Sequence, residues 1–231
     1  MLARFLELHP EGFEEGDQEL AVYTDRDGEQ RLRRVFADVS AVPVEPGWEE
    51  RWREFHRPFW IGPLWIGPSW EQPPRDATAV VIDPGRAFGT GSHPTTRLCL
   101  AFLLELEPTS LVDIGCGSGV LSVAAAKLGF DPVVAVDREP AAVEAARRNA
   151  RTNGVEIDVR LADALVEELP ATEIAVANID LAAVEVLPSR LRAARVVTAG
   201  YFHSRRPAMA GYVHRERRVD GGWAADLYER Q

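Results

Sequence analysis

The chain has 231 residues, 46% of them apolar, which fits one full soluble domain beside a smaller one. Its 36 acidic against 26 basic residues leave a net charge of −10, and such a surface repels phosphate backbones. A macromolecular partner is therefore expected to be a basic protein, and no direct nucleic-acid contact is expected. No apolar run approaches the ~18 residues of a membrane span, and no basic segment followed by an apolar one opens the chain. The two cysteines, Cys99 and Cys116, stand at no metal-ligand spacing and imply no disulfide framework. These features lead to the expectation of a cytoplasmic protein without a metal site.

In chain order, residues 1–45 read as a small α/β piece. Leu2, Phe5, Leu6 and Leu8 line one face of a short helix, Glu19 to Thr24 reads as a strand, and Asp25-Arg26-Asp27-Gly28 as a turn. Residues 29–37 read as a second helix with Leu32, Val35 and Phe36 on its apolar side. Residues 46–77 are expected to be a linker, with Trp48, Trp52 and Phe55 at helical spacing and the doubled Trp-Ile-Gly-Pro as two short extended segments. From Thr78 the pattern becomes regular: strand 78–82, loop 83–92, helix 94–106, strand 111–114, helix 119–128 and strand 133–136. A helix from Pro140, apt for a first helical position, ends at Asn153-Gly154. Strand 157–161, an irregular helix near 163–168, strand 174–177, helix 180–192 and strand 195–199 follow. Two final runs, 210–218 and 223–229, joined by Asp220-Gly221-Gly222, read as a hairpin. The alternation predicts a doubly wound, mostly parallel α/β sheet over 78–231 with an antiparallel C-terminal hairpin.

The most informative segment is Leu111-Val112-Asp113-Ile114-Gly115-Cys116-Gly117-Ser118-Gly119, a buried-type strand entering a glycine turn and then a helix. Twenty residues after Gly117, a second apolar run ends in Asp137, where a carboxylate is placed to accept ribose hydroxyls. A dinucleotide fingerprint needs G-x-G-x-x-G; here the pattern is D-x-G-x-G-x-G, which resembles the first motif of S-adenosylmethionine-dependent methyltransferases.

In an open parallel sheet, ligands bind outside the carboxyl ends of the strands. Gly115 and Gly117 are expected to face the methionine part of the cofactor with backbone amides, Asp137 to hold the ribose, and Asp163 to accept the adenine amino group or simply cap a helix. Asn178 falls where the reacting methyl belongs. The loop Asp83 to Thr96, with three glycines and two prolines, is shaped. Pro94 suits a helix start, which puts Thr95 and Thr96 where hydroxyls and free amides meet a carboxylate. Capping by Ser92 or His93 is the plainer alternative, and His93 reads first as structural.

The blocks Phe88-Gly89-Thr90-Gly91-x-His93-Pro94-Thr95-Thr96, Asp113-x-Gly115-Cys116-Gly117-Ser118-Gly119 and Val176-Ala177-Asn178-Ile179 resemble the bacterial ribosomal protein L-eleven methyltransferases. The resemblance implies N-methylation of lysine side chains and the N-terminal amine of a large-subunit ribosomal protein. It places Thr96, Gly115, Asp137 and Asn178 at cofactor contacts. In that family an N-terminal ferredoxin-like domain recognises the substrate; this chain opens within what matches that domain's first helix, so residues 1–45 are expected to be a truncated recognition domain. For catalysis, the Asn178 carbonyl is expected to orient the amine in an aromatic-lined, partly dry mouth with Phe88 as one wall, and Asp180 to point away. Two other readings stand beside this one: a same-fold methyltransferase acting on a small amine or RNA, and a non-catalytic cofactor-binding domain. Asn178-Ile179-Asp180-Leu181 in place of Asn-Pro-Pro-Tyr argues against glutamine and nucleobase acceptors.

Overall fold

The computed structural model describes residues 14–15, 20–21, 26–36, 38–41, 57–83 and 92–231. Two compact units divide at Phe55/His56. In the first, β1 (Glu14–Glu15) pairs antiparallel with β2 (Leu20–Ala21), and α1 spans Arg26–Val35. Of the residues expected as a turn at 25–28, Arg26 to Gly28 belong to the helix's first turn, and Asp25 lies outside the described residues. Leu32 is buried and Val35 and Phe36 half-buried, as an apolar stripe requires. Arg33 bonds Glu29 one turn back (2.8 Å) and the Val39 carbonyl (2.7 Å), holding the following segment against the helix end. The expected helix over Leu2–Leu8 and the aromatic stripe Trp48-Trp52-Phe55 lie outside the described residues.

The second unit begins within the expected linker. β3 (Phe59–Ile61) and β4 (Leu64–Gly67) form a hairpin over the doubled Trp-Ile-Gly-Pro, and β4 runs parallel to β5 (Thr78–Val81). Residues 57–77 are therefore part of this unit: Leu64 and Ile66 are fully buried in its main core. β5 is held from the side by Asn153, whose amide exchanges two hydrogen bonds with Val81 (2.8 and 2.7 Å), replacing a neighbouring strand.

After β5 come α2 (Pro94–Leu103), β6 (Leu111–Ile114), α3 (Val120–Lys127), β7 (Val133–Asp137), α4 (Pro140–Asn153) and β8 (Asp158–Leu161). Then follow β9 (Ile174–Asn178), α5 (Leu181–Val186), β10 (Arg195–Phe202), β11 (Tyr212–Asp220) and β12 (Trp223–Arg230). The seven-stranded sheet has the order β11-β12-β10-β9-β6-β7-β8. β10, β9, β6, β7 and β8 are parallel, and β12 and β11 add an antiparallel edge. This is the doubly wound α/β sheet with a closing hairpin that the alternation predicts. The two-residue turn Gly221-Gly222 has φ of +54° and +85°, which suits the right-handed twist of a hairpin.

The central strands are apolar on both faces because both are covered. Leu111, Val133, Ile174, Val176 and Val197 point into a core shared with α2, α3 and β3–β5. Val112, Ile114, Val134, Val136, Ala175 and Ala177 point into a second core with Val184, Leu187, Tyr201 and Tyr228. Two expectations are corrected. Residues 163–168 form a hydrogen-bonded turn in place of a helix, and the helix expected over 180–192 is α5 followed by one 3-10 turn at Leu187–Ser189, because Pro188 removes a backbone donor.

On the second face, Asp226 is fully buried. It accepts from Tyr201 Oη (2.8 Å), His214 Nε2 (2.7 Å) and two Arg217 nitrogens (2.9 and 2.8 Å). Burial alone raises its pKa, but these donors outweigh burial and hold it below the usual carboxylate range. Arg217 also bonds the carbonyls of His203 and Arg205 (2.8 and 2.6 Å), fixing the loop that leaves β10.

Candidate active site

The sheet order reverses between β6 and β9, so a crevice opens beyond their carboxyl ends. The glycine turn borders it. Gly115, Gly117 and Gly119 have φ of +70°, +53° and +78°, conformations that a side chain strains. Each also meets a close neighbour or a specific bond. A Cβ at Gly115 would lie 2.4 Å from Ile179 Cγ2, and one at Gly119 2.9 Å from the Ala146 Cβ of α4. The turn is pinned to α4 by Asn149, which donates to the Ser118 carbonyl (2.8 Å).

The amides of this turn are directed differently from the expectation. Gly115 N–H donates to the Val136 carbonyl (2.9 Å) and Gly117 N–H to Asp137 Oδ2 (2.9 Å). Both donors are used inside the fold, so the turn offers a ligand its Cβ-free faces and carbonyl oxygens. Those acceptors suit an ammonium or a sulfonium centre better than a carboxylate.

Asp113 lies beneath the turn, accepting from Ser122 N (3.1 Å) and Ser122 Oγ (2.5 Å) at the start of α3. Burial drives its pKa up to about 7, the Ser122 hydrogen bonds oppose the rise, and the Asp137 charge adds to it. Its visible role is to anchor α3 under the glycines. Asp137, at the tip of β7, accepts from Gly117 N–H and, through Oδ1, from Glu139 N–H (2.9 Å). A carboxylate has further lone-pair capacity on both oxygens, so Asp137 retains acceptor sites for vicinal hydroxyls.

Asp163 follows β8 and closes a turn, there being no helix here for it to cap: its Oδ1 accepts from Leu165 N–H (2.9 Å), and Glu167 Oε1 accepts from its own N–H (2.9 Å).

At the start of α2, His93 is the N-cap. Its Nδ1 accepts from Thr95 N–H (3.3 Å) and lies 2.7 Å from Thr95 Oγ1. Burial lowers the His93 pKa, which keeps Nδ1 available as an acceptor. Thr95 is therefore occupied by the cap. Thr96, buried one position on, meets Asn178 from the end of β9: Asn178 Nδ2 donates to Thr96 Oγ1 (3.2 Å) across 82 residues of sequence. Two residues singled out separately in the sequence are one constellation. That bond uses one of the two amide N–H groups of Asn178 and leaves its Oδ1 as an acceptor. Asp180 caps α5 by accepting from Ala183 N–H (3.0 Å) and is thus turned to its own helix, as expected. Phe88 lies outside the described residues.

Sequence reasoning missed three residues that shape this end of the sheet. Gly200, φ +104°, interrupts the β10–β12 register between Ala199 and Tyr201, and a Cβ there would lie 2.0 Å from the Ile179 carbonyl oxygen. A glycine inside an otherwise apolar strand was the available signal. Phe202 and Trp223 stack at the ladder's end (centroids 4.5 Å, planes 26° apart), and Trp223 meets His93 edge-on at 4.7 Å.

Known proteins carry the same pattern. The family model for ribosomal protein L11 methyltransferase (PrmA) matches residues 15–204. The "Ribosomal protein L11 methyltransferase" of Symbiobacterium thermophilum is 42% identical over 199 residues, covering 79% of this chain and 66% of that protein. The protein of the same name in Vibrio campbellii is 42% identical over 163 residues, 64% of this chain and 54% of that one. The crystal structure of ribosomal protein L11 methylase from Lactobacillus delbrueckii subsp. bulgaricus superposes with a TM-score of 0.66 at 29% identity, over 74% of this chain and 96% of that chain. The matched part spans about half the length of most of these curated relatives. By fold, by motif and by these matches, the chain belongs to the ribosomal protein L11 methyltransferase (PrmA) family.

Proposed function

We propose that this chain transfers methyl groups from S-adenosylmethionine to amines of ribosomal protein L11, at lysine side chains and the N-terminal amine, in the cytoplasm. The observation that supports this reading is the Asn178–Thr96 bond, which joins the end of β9 to the start of α2 beside the β6/β9 switch point and uses an amide N–H of Asn178; we take its carboxamide oxygen as the group that orients the acceptor. Among the described residues, no helix is long and apolar enough to cross a membrane.

The donor set fits the cofactor. Asp137 would hold the ribose hydroxyls and Asp163 would accept the adenine amino group. The carbonyls of Gly115 and Gly117 would take the amino group of the methionine part. The Thr96 amide and hydroxyl at the α2 N-terminus, where the helix dipole favours an anion, would hold its carboxylate. When bound, S-adenosylmethionine supplies a methyl group activated by a positively charged sulfur. The chain's own contribution is position: Asn178 Oδ1 accepts an N–H of the acceptor amine, turning its lone pair toward the crevice. A lysine amine, with a pKa of about 10.4, must first lose a proton. Desolvation lowers that pKa, whereas a facing carboxylate raises it. Asp180 is tied to the α5 start and His93 to Thr95, so neither opposes the loss.

The test is transfer of labelled methyl to ribosomal proteins of the same organism isolated without their own modification, resolved by mass. Label on L11 amines, reduced about 100-fold in Asn178→Ala at saturating cofactor, is the expected result. An unlabelled L11, with cofactor bound by calorimetry, would refute it.

A further inference from the structure

Asn178 holds an amine by accepting its N–H, and each methyl transferred removes one such donor. A dimethylated amine, once deprotonated, has no N–H left to give. A site that acts repeatedly on one nitrogen therefore needs a second means of holding the later species, one that does not depend on N–H groups.

The described residues contain such a surface. β10 runs parallel to β9 with Ala199 opposite Asn178; after the Gly200 bulge it continues to Phe202, past the last residue of β9 and on the side of the crevice. Phe202 is 59% exposed, although a phenylalanine at the end of a core strand is ordinarily covered. Its ring is stacked on Trp223, its register partner on β12, and Trp223 in turn rests edge-on against His93. His93 caps the helix whose Thr96 holds Asn178, so a short chain of contacts ties the aromatic pair to the amine-orienting residue. The hairpin turn backs this wall: Gly221 sits against Pro94, where a Cβ would lie 3.4 Å from Cγ. The rings are thus held in place from behind while Phe202 keeps an open side. Aromatic faces attract the methyl groups of an alkylated amine and the positive charge its nitrogen acquires as a further methyl arrives, without requiring a hydrogen-bond donor.

We propose that Phe202, braced by Trp223, is the specificity-determining residue that retains partly methylated amines, and so sets how many methyl groups the enzyme adds. This rests on the amine methyltransferase reading above. Phe202 acts on the methylated acceptor, while Asn178 orients the unmethylated one.

The experiment compares initial rates on L11 carrying unmodified lysines and on L11 whose lysines have been chemically dimethylated, for the wild type, Phe202→Leu and Phe202→Tyr. The exposure of Phe202 makes both variants compatible with folding, and thermal melting checks it. Phe202→Leu keeps an apolar side chain and loses the π face. We expect kcat/KM on the dimethylated acceptor to fall about 3- to 30-fold with a smaller change on the unmodified one, mono- and dimethyl-lysine to accumulate, and Phe202→Tyr to restore the wild-type ratio. Equal losses on both acceptors, or an unchanged ratio in Phe202→Leu, would overturn the role of Phe202 and leave the methyltransferase reading intact. A wild type that methylates neither acceptor would overturn both.

Discussion

Replacing Gly200 by alanine tests whether the loop bearing Asn178 is positioned by backbone contact with β10. The added Cβ would stand 2.0 Å from the Ile179 carbonyl oxygen, 2.7 Å from its carbon and 3.0 Å from its nitrogen. These are main-chain atoms, so no rotamer change relieves the overlap; ordinary contact at about 3.5 Å requires the 178–180 segment to retreat by more than 1 Å. A non-glycine residue at φ +104° adds about 1–2 kcal/mol of strain. Weakening the Ile179 N–H bond to the Ala199 carbonyl (3.2 Å) adds about 1 kcal/mol. The sum, about 2–3 kcal/mol, corresponds to a melting temperature lower by about 4–12 °C in a chain of this size. Displacing Asn178 by ~1 Å is expected to lower kcat/KM about 100-fold. Gly154→Ala is the matched control: its φ is +62°, and nothing lies within 4 Å of the new Cβ. It should cost only the strain, about 1–2 kcal/mol, with turnover unchanged. Urea and thermal unfolding measure the first quantity and methyl transfer the second. If Gly200→Ala proves as mild as Gly154→Ala on both, the close-approach argument is wrong.

Asp113→Asn should change the pH dependence of stability. With its folded pKa raised to about 7, above an unfolded value near 4, the group's favourable contribution is full below about pH 4 and is lost as pH rises through about 7. The wild type is therefore expected to lose more stability than the variant between pH 5 and pH 8 in urea titrations. Asp137→Ala should weaken S-adenosylmethionine binding at least about tenfold by calorimetry, through the lost ribose contact and the released Gly117 amide together. Arg217→Met removes two donors from a fully buried carboxylate and should cost about 3–5 kcal/mol, read as a fall in the urea midpoint. A loss below about 1 kcal/mol would mean that His214 and Tyr201 suffice.

The sheet from β6 to β10 was legible because its strands are short apolar runs and its helices carry their own punctuation, as Pro140 and Gly154 do for α4. Asp137 and the glycine turn were legible for the same reason: local chemistry at fixed spacing. β3 and β4 were recognised as extended but assigned to a linker, since nothing in Trp-Ile-Gly-Pro announces that Leu64 and Ile66 are buried under α2 and α3. The Asp226 network was invisible because its members come from three strands and meet only through register. The sole hint was a lone acid in the apolar run Trp223-Ala224-Ala225-Asp226-Leu227-Tyr228. The direction of the glycine amides depends on where Val136 and Asp137 fall in the neighbouring strand, which spacing alone does not give.

The edge-on contact of Trp223 with the α2 cap has a consequence for the order in which the molecule matures. Synthesis proceeds from β3 toward β12, so the glycine turn, Asp137 and the Asn178–Thr96 pair all leave the ribosome before the hairpin does. Until then the two cores lack Ala224, Ala225 and Tyr228, and β10 presents an unpaired edge that β12 later covers antiparallel. The packing of both cores and the support behind His93 are thus completed by β12, which is made after every other described element.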